Sequence, residues 1–435
     1  MSERVLFTGL LQSLPRRAPT ALIALTLVTA TGCYEQLTDP ATEGDARATV
    51  TNDETVLADR MTYVEEEIPI DPPTPGAFSS FMLEPAKAPS AVRLVGVARV
   101  QPPEIDGVVL QATAVSRRSQ NSFLVSYNVR GEQFLGGVDY IVNWASRFPV
   151  IYSYVEFRDS DISSVALDGN AIYLAQATNA DGFSTSAAVE RMRLGNWGIR
   201  VLDNQRFDLS SFAATSVRRQ GNTLYVTTGS NGDVYGLNAN DLTVRGQYAL
   251  EDARWVEIDE ENDRVVVVQG TPGRISVFEE GDFPGGSMTL LNTFPFDGAD
   301  VAEAKSTVEV VDNKAFIAAG PDGVQVMCLD DGSIIGSVPI PDPASLGLDP
   351  SVVTTNAVTV DGDLMFISNG EAGVYVAAGV DDFDDSGCAP QSISVMGQMR
   401  FADLQSVNHV DYRNGYLFIA AGLGGVKIVE VQVTP

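Results

Sequence analysis

Three stretches of this chain are near-copies of one another: FIAAGPDGVQVMCL from Phe316, FISNGEAGVYVAAG from Phe366 and FIAAGLGGVKIVEV from Phe418. Two looser copies, YVTTGSNGDVYGLN from Tyr225 and VVVQGTPGRISVFE from Val266, keep the same plan of apolar residues, a G-x-x-G and an alternating run. The first glycines are Gly229, Gly270, Gly320, Gly370 and Gly422, at intervals of 41, 50, 50 and 52 residues. A unit of this size cannot bury its apolar faces alone, so the copies must stack on one another. Alternation with a period of two makes each copy a small sheet, and the interval suits one four-stranded propeller blade.

Each copy is preceded by a tight-turn pair between two apolar strands: Gly221-Asn222, Asn262-Asp263, Asp312-Asn313, Asp361-Gly362 and Asn414-Gly415. Such residues supply the positive φ that short hairpins need. Asp168-Gly169-Asn170 before AIYLAQA and Ser119-Gln120-Asn121 before SFLVSYNV mark two more divergent units, which makes seven. No GK[ST] follows the glycine pairs and no helix begins there, so a hairpin fits them better than a phosphate loop. The last unit ends one strand short in GVKIVEVQVTP, and residues 92–98, VRLVGVA, read as its missing outer strand. The expected fold is all-β: a seven-bladed β-propeller of four-stranded antiparallel blades over residues 91–435, closed by an N-terminal strand that completes the last blade. Closure of this kind removes the exposed sheet edge.

The LVGVA, GVKIVEV and GVYVA segments, with the YVTTG and FIAAG strands, resemble the LVIVD-repeat propellers, a group of secreted and surface-anchored bacterial proteins. The resemblance covers roughly residues 90 to 435 and is strongest from Gly320 onward. It implies a fold and a location rather than an activity.

The N-terminus reads as an export signal. Arg4, Arg16 and Arg17 precede a 13-residue apolar run, Ala18 to Ala30, which is too short to span a bilayer. Gly32 before Cys33 matches the lipobox of bacterial lipoproteins, in which the cysteine is acylated; an ordinary cleaved signal with an incidental cysteine is the alternative. Residues 1–32 are then a lipoprotein signal peptide and 33–90, rich in acids and prolines (EEEIPIDPPTPG, EPAKAPS), an acidic tether. The expected address is the bacterial cell envelope, lipid-anchored at the outer membrane or cell surface, with the membrane itself as one partner.

Lys+Arg number 28 against 57 Asp+Glu, a net charge of −29, which argues against nucleic acid as a partner. The single histidine, His409, excludes multi-histidine zinc sites. One polar position recurs at the start of each inner strand: Thr113, Ser163, Thr215, Arg254, Ser306, Asn356 and Asn408. These side chains are expected to ring one mouth of the central channel, as a solvated structural funnel or as a small-ligand pocket. In the second case Arg254 anchors an anion, Trp255 is a stacking wall, and Asn356, Asn408 and His409 complete the site. His409 reads otherwise as an inner-strand residue satisfied by a neighbouring hydrogen bond.

In DDFDDSGCAP, Asp382, Asp384 and Ser386 reproduce the D-x-D-x-S-G opening of a calcium loop, though Ile393 stands where the closing glutamate belongs. Calcium is the only cofactor with a motif here, and a solvated acidic turn is the alternative. Cys328 and Cys388 fall on one face of adjacent blades, as a disulfide or as two separate thiols. On activity, the first reading is a non-enzymatic scaffold that binds a protein or glycan. The alternative is a lactonase-like or quinone-dependent propeller enzyme with its site at the channel mouth.

Overall fold

The computed structural model describes residues 47–73, 91–119, 121–298, 301, 304–385, 387–402 and 405–434. The signal segment, Cys33, Ser386 and residues 33–46 and 74–90 of the expected tether lie outside them. The fold is all-β, with seven four-stranded antiparallel blades in a ring. The innermost strands are Gln111–Ser119, Ser160–Asp168, Ser216–Gln220, Ala253–Asp259, Val308–Val311, Ala357–Asp361 and His409–Arg413. Each packs beside the next, and the seventh returns to the first.

Local chemistry sets the hairpins. Val311 pairs with Lys314 across Asp312 (φ 42°) and Asn313 (φ 64°), and Arg413 pairs with Tyr416 across Asn414 (φ 54°) and Gly415 (φ 76°). Two successive residues at positive φ give the turn whose twist matches that of the strands. The core is then divided into seven slabs, one between each pair of neighbouring blades. In the strand Leu364–Ser368, Leu364 and Phe366 face the seventh blade while Met365 and Ile367 face the fifth. Because both faces of a blade are covered, its strands are apolar on both sides.

The repeated glycines have separate tasks. In four of the five copies the first of the pair reaches the next blade: Gly229 N donates to Ala253 O (2.9 Å), and Thr355 N, Val407 N and Ala112 N donate to the carbonyls of Gly320, Gly370 and Gly422 (each 3.0 Å), whereas Gly270 N donates to Asp252 O of its own blade (2.9 Å). The second lies under its own blade's outer strand, where a Cβ on Gly323, Gly373 or Gly425 would collide with the carbonyl of Val338, Met399 or Val100. The motif is therefore a joint between sheets.

The strand Ala91–Val100 closes the ring as the fourth strand of the seventh blade, in register from Val426↔Val100 to Thr434↔Ala91. The tether reading needs correction over residues 47–73. Ala48–Thr51 adds a fifth strand to the first blade, pairing with Tyr154 to Phe157. Glu54–Ala58 is a short helix capped by Asp53 that buries Leu57. Met61–Tyr63 and Glu67–Ile68 both pair with the closing strand, and Asp71 bridges to Gln398 of the sixth blade. An added edge strand needs backbone partners and few apolar side chains, so its composition reads like that of a tether.

Candidate functional site

Three members of the polar ring sit at bulges in their inner strands. Thr113, Ser163 and Arg254 sit where pairing slips between Ala112 and Ala114, Ile162 and Ser164, and Ala253 and Trp255. A bulge re-aims its extra side chain out of the alternating pattern. Here it sends that side chain toward the channel. Six of the seven ring residues line a funnel of about 1110 Å³ on the face that carries the G-x-x-G joints; Ser306 instead meets Arg254 through its hydroxyl (3.3 Å).

Most of the ring's hydrogen-bonding capacity is spent between blades. Thr113 Oγ1 donates to Ile162 O (2.9 Å), Thr215 Oγ1 to Ala253 O (2.8 Å), Asn356 Nδ2 to Val407 O (3.0 Å) and Asn408 Nδ2 to Ala112 O (2.8 Å). Each acceptor is the residue just before the next blade's ring position. Arg254 is also occupied: its Nη2 meets Asp252 Oδ2 at 2.7 Å, and Nη1 donates to Val301 O (2.9 Å) and Ala304 O (3.1 Å). Its charge is neutralised within the site, so the structure provides an inter-blade tie where an anion anchor was expected.

Arg254, Asn356 and Asn408 line the funnel, but Trp255 and His409 do not open into it. The buried Trp255 indole meets His409 (ring centroids 5.2 Å apart), Arg218 (5.1 Å) and Lys305 (5.3 Å), which belong to the seventh, third and fifth blades. It crosses the ring's interior as a plug. Lys305 crosses beside it, and its Nζ donates to Thr113 O (2.6 Å) and Ser163 O (3.0 Å) on the first and second blades. Burial, reinforced by the Arg218 charge, pulls the Lys305 ammonium down to about 7. His409 is buried, and among the described residues its Nδ1 has no partner, so the expected satisfying hydrogen bond is not seen at that atom. Burial first, then the charges of Lys305 and Arg218, hold its imidazole well below the ordinary range.

Beyond the plug lies a second chamber of about 670 Å³, lined by charge pairs. Arg117 Nε meets Asp411 at 2.6 Å, Arg218 Nε meets Glu257 at 3.1 Å, and Arg413 Nη2 meets Glu309 at 3.4 Å. Burial pushes the Glu309 carboxyl up to about 8, against the pull of Arg413. Lys305, Arg218 and Glu309 escape sequence reasoning because their importance depends on partners from distant blades. One signal was present: the chain contains only four lysines, and Lys305 immediately precedes a ring position.

In the acidic loop Phe383 is buried edge-on against Phe316 (5.2 Å), while Asp382 and Asp384 are exposed. The loop's inner side faces the buried Lys314, whose Nζ donates to Asp385 O (2.7 Å) and meets Asp312 Oδ2 at 3.2 Å. Calcium here is thus a proposal about Asp382 and Asp384 on the exposed side of the loop, Ser386 lying outside the described residues. Cys328 and Cys388 are joined in a disulfide between the fifth and sixth blades, with Cα atoms 5.3 Å apart. Among the described residues one group of three metal-ligand side chains converges, Cys328, Asp330 and Cys388, and the disulfide occupies both sulfurs.

No protein family matches the sequence, and no curated protein does. Among solved structures, the WD40 β-propeller domain of Doa1 aligns with a TM-score of 0.51 at 9% identity, covering 78% of this chain and 97% of that one. At such identity the likeness shows the fold alone. The computationally designed Ika8 protein aligns at a TM-score of 0.42 and 11% identity, covering 76% of this chain and 99% of its own, and carries no argument.

Proposed function

We propose that this chain is a lipid-anchored propeller of the bacterial cell envelope, of the LVIVD-repeat kind, that holds a protein or glycan partner on its funnel face as a non-enzymatic scaffold. The observation that carries this reading is the funnel of about 1110 Å³ with Phe212, 69% exposed, at its rim beside Phe134 (ring centroids 6.3 Å apart). An exposed aromatic over a concave polar floor combines an apolar anchor with groups that orient a ligand. Within the polar ring, Arg254 is consumed by Asp252 and is not free to act on a substrate. The acylated Cys33 of this reading stands 14 residues before Arg47, so the propeller would sit within about 50 Å of the membrane even with that segment fully extended.

The test is chemical crosslinking in native envelopes with three chains: parent, Phe212→Asp and Trp197→Asp. Trp197 is equally exposed but lies on a turn of the second blade away from the funnel. The reading expects a partner that crosslinks to the parent and to Trp197→Asp and is lost from Phe212→Asp. Equal capture by all three would place the partner elsewhere.

A further inference from the structure

Of the chain's 28 basic residues, 24 are arginines, which stay charged at any working pH, and one of its four lysines is placed at the floor of the funnel. Lys305 is half-buried and its side chain is part of the funnel lining. Among the described residues it has no carboxylate partner; its contacts are the carbonyls of Thr113 and Ser163 and the face of Trp255. Arg218, which also lies against that indole, adds a like charge. Lys314 and Lys427 differ: the first is fully buried on Asp312, and the second lies over Phe401 outside the funnel.

We propose that Lys305 is a reactive amine that captures small aldehydes and ketones covalently at the funnel floor, as an imine. A neutral amine has two N–H bonds and one lone pair. Thr113 O and Ser163 O accept the two N–H bonds, which leaves the lone pair as the valence the protein does not engage. Desolvation beside a second cation is a known way to activate a lysine. In the reaction the lone pair adds to the carbonyl carbon, and the C=O π pair moves to oxygen. The resulting carbinolamine then loses that oxygen with both former N–H protons as water, leaving C=N. No oxidant or reductant takes part. The position of the amine also fits the lowering of its ammonium to about 7, since the neutral form is then present near neutrality.

This inference extends beyond the scaffold reading and does not depend on a macromolecular partner. The probe is glyoxylate, with cyanoborohydride to reduce any imine to a stable carboxymethyl-lysine, followed by peptide mapping of the full-length protein. Four lysines make the map simple. At pH 7 the carboxymethyl group is expected on Lys305 at a rate at least about tenfold that of Lys87, with half-maximal labelling near pH 7. Lys305→Arg should lose that label while Lys87→Arg keeps it; the mapping and pH profile of the parent stand even if the first variant folds poorly. Labelling of Lys87 with Lys305 unmodified would overturn the proposal, as would a Lys305 rate that rises only in the range of an ordinary amine. Either failure leaves the partner test untouched, because that test reads Phe212 and involves no amine.

Discussion

Glu309 shows how one side chain carries the electrostatics of the second chamber into stability. Its folded-state carboxyl is raised from 4.5 to about 8, chiefly by burial. Between those values the native state binds more protons than the unfolded chain, so this group's contribution to stability falls as pH rises through the window and is lowest above it. Glu309→Gln keeps the shape and removes the charge. It is expected to raise the melting temperature at about pH 9 and change it little at about pH 5. Lys305, lowered from 10.5, works in the opposite sense above about 7, but it is common to both proteins and cancels in the comparison. An unchanged difference across the pH range would remove Glu309 as a buried acid. Gly270 is a second residue whose task is local: a Cβ there would run into the Arg254 guanidinium. Gly270→Ala should therefore loosen the Arg254–Asp252 tie and cost about 1–3 kcal/mol in denaturant unfolding, by leaving buried polar groups partly unpaired.

Among the elements, the strap over residues 47–73 departs most from expectation, and one ion pair locks it down. Arg60 Nη1 and Nη2 meet the two oxygens of Asp139 at 2.9 and 2.6 Å, Asp139 has no exposure, and Tyr127 donates its hydroxyl to the same carboxylate at 2.7 Å. The guanidinium also lies over the Tyr154 ring at 5.1 Å. Removing the arginine strands a buried charge, which typically costs about 3–5 kcal/mol. Arg60→Met should show a loss of that order in urea unfolding, and adding Asp139→Asn should recover most of it. If the double variant is no better than the single, the strap is held by its strand pairing alone. The Cys328–Cys388 disulfide ties two blades across 60 residues of chain. Chain-entropy reasoning puts its removal at up to about 4 kcal/mol, measurable as the drop in stability on adding reductant.

At the scale of the whole molecule, stability comes from a closed circuit of inter-blade slabs, so the chain ends matter more than their length suggests. Chains beginning at residue 47, 91 and 101 should melt in that order, from most to least stable. The second lacks the strap and leaves Asp139 without Arg60; the third also lacks the strand Ala91–Val100 and exposes an edge of the seventh blade. Equal melting for the first two would demote the strap, and equal melting for the last two would demote the closure.

Repetition written into the chain was enough to establish the blades, their number and the closing strand, because alternation, turn pairs and glycine joints are local properties that recur at a fixed interval. The polar ring was legible for the same reason: one position per inner strand, found by aligning repeats. What those side chains do was not legible. Asn356 and Asn408 spend their amides on the next blade, Arg254 turns inward to Asp252, and Trp255 and His409 close the channel where they were expected to line its mouth. The strap was hidden too, since Arg60 and Asp139 are 79 residues apart and neither stands out in its own segment. Local pattern determines which residues face the axis, but partners across the axis come from blades far apart in the chain. Only ring closure brings Lys305 to Thr113 and Ser163, and only then do burial and neighbouring charge decide how an ordinary lysine behaves.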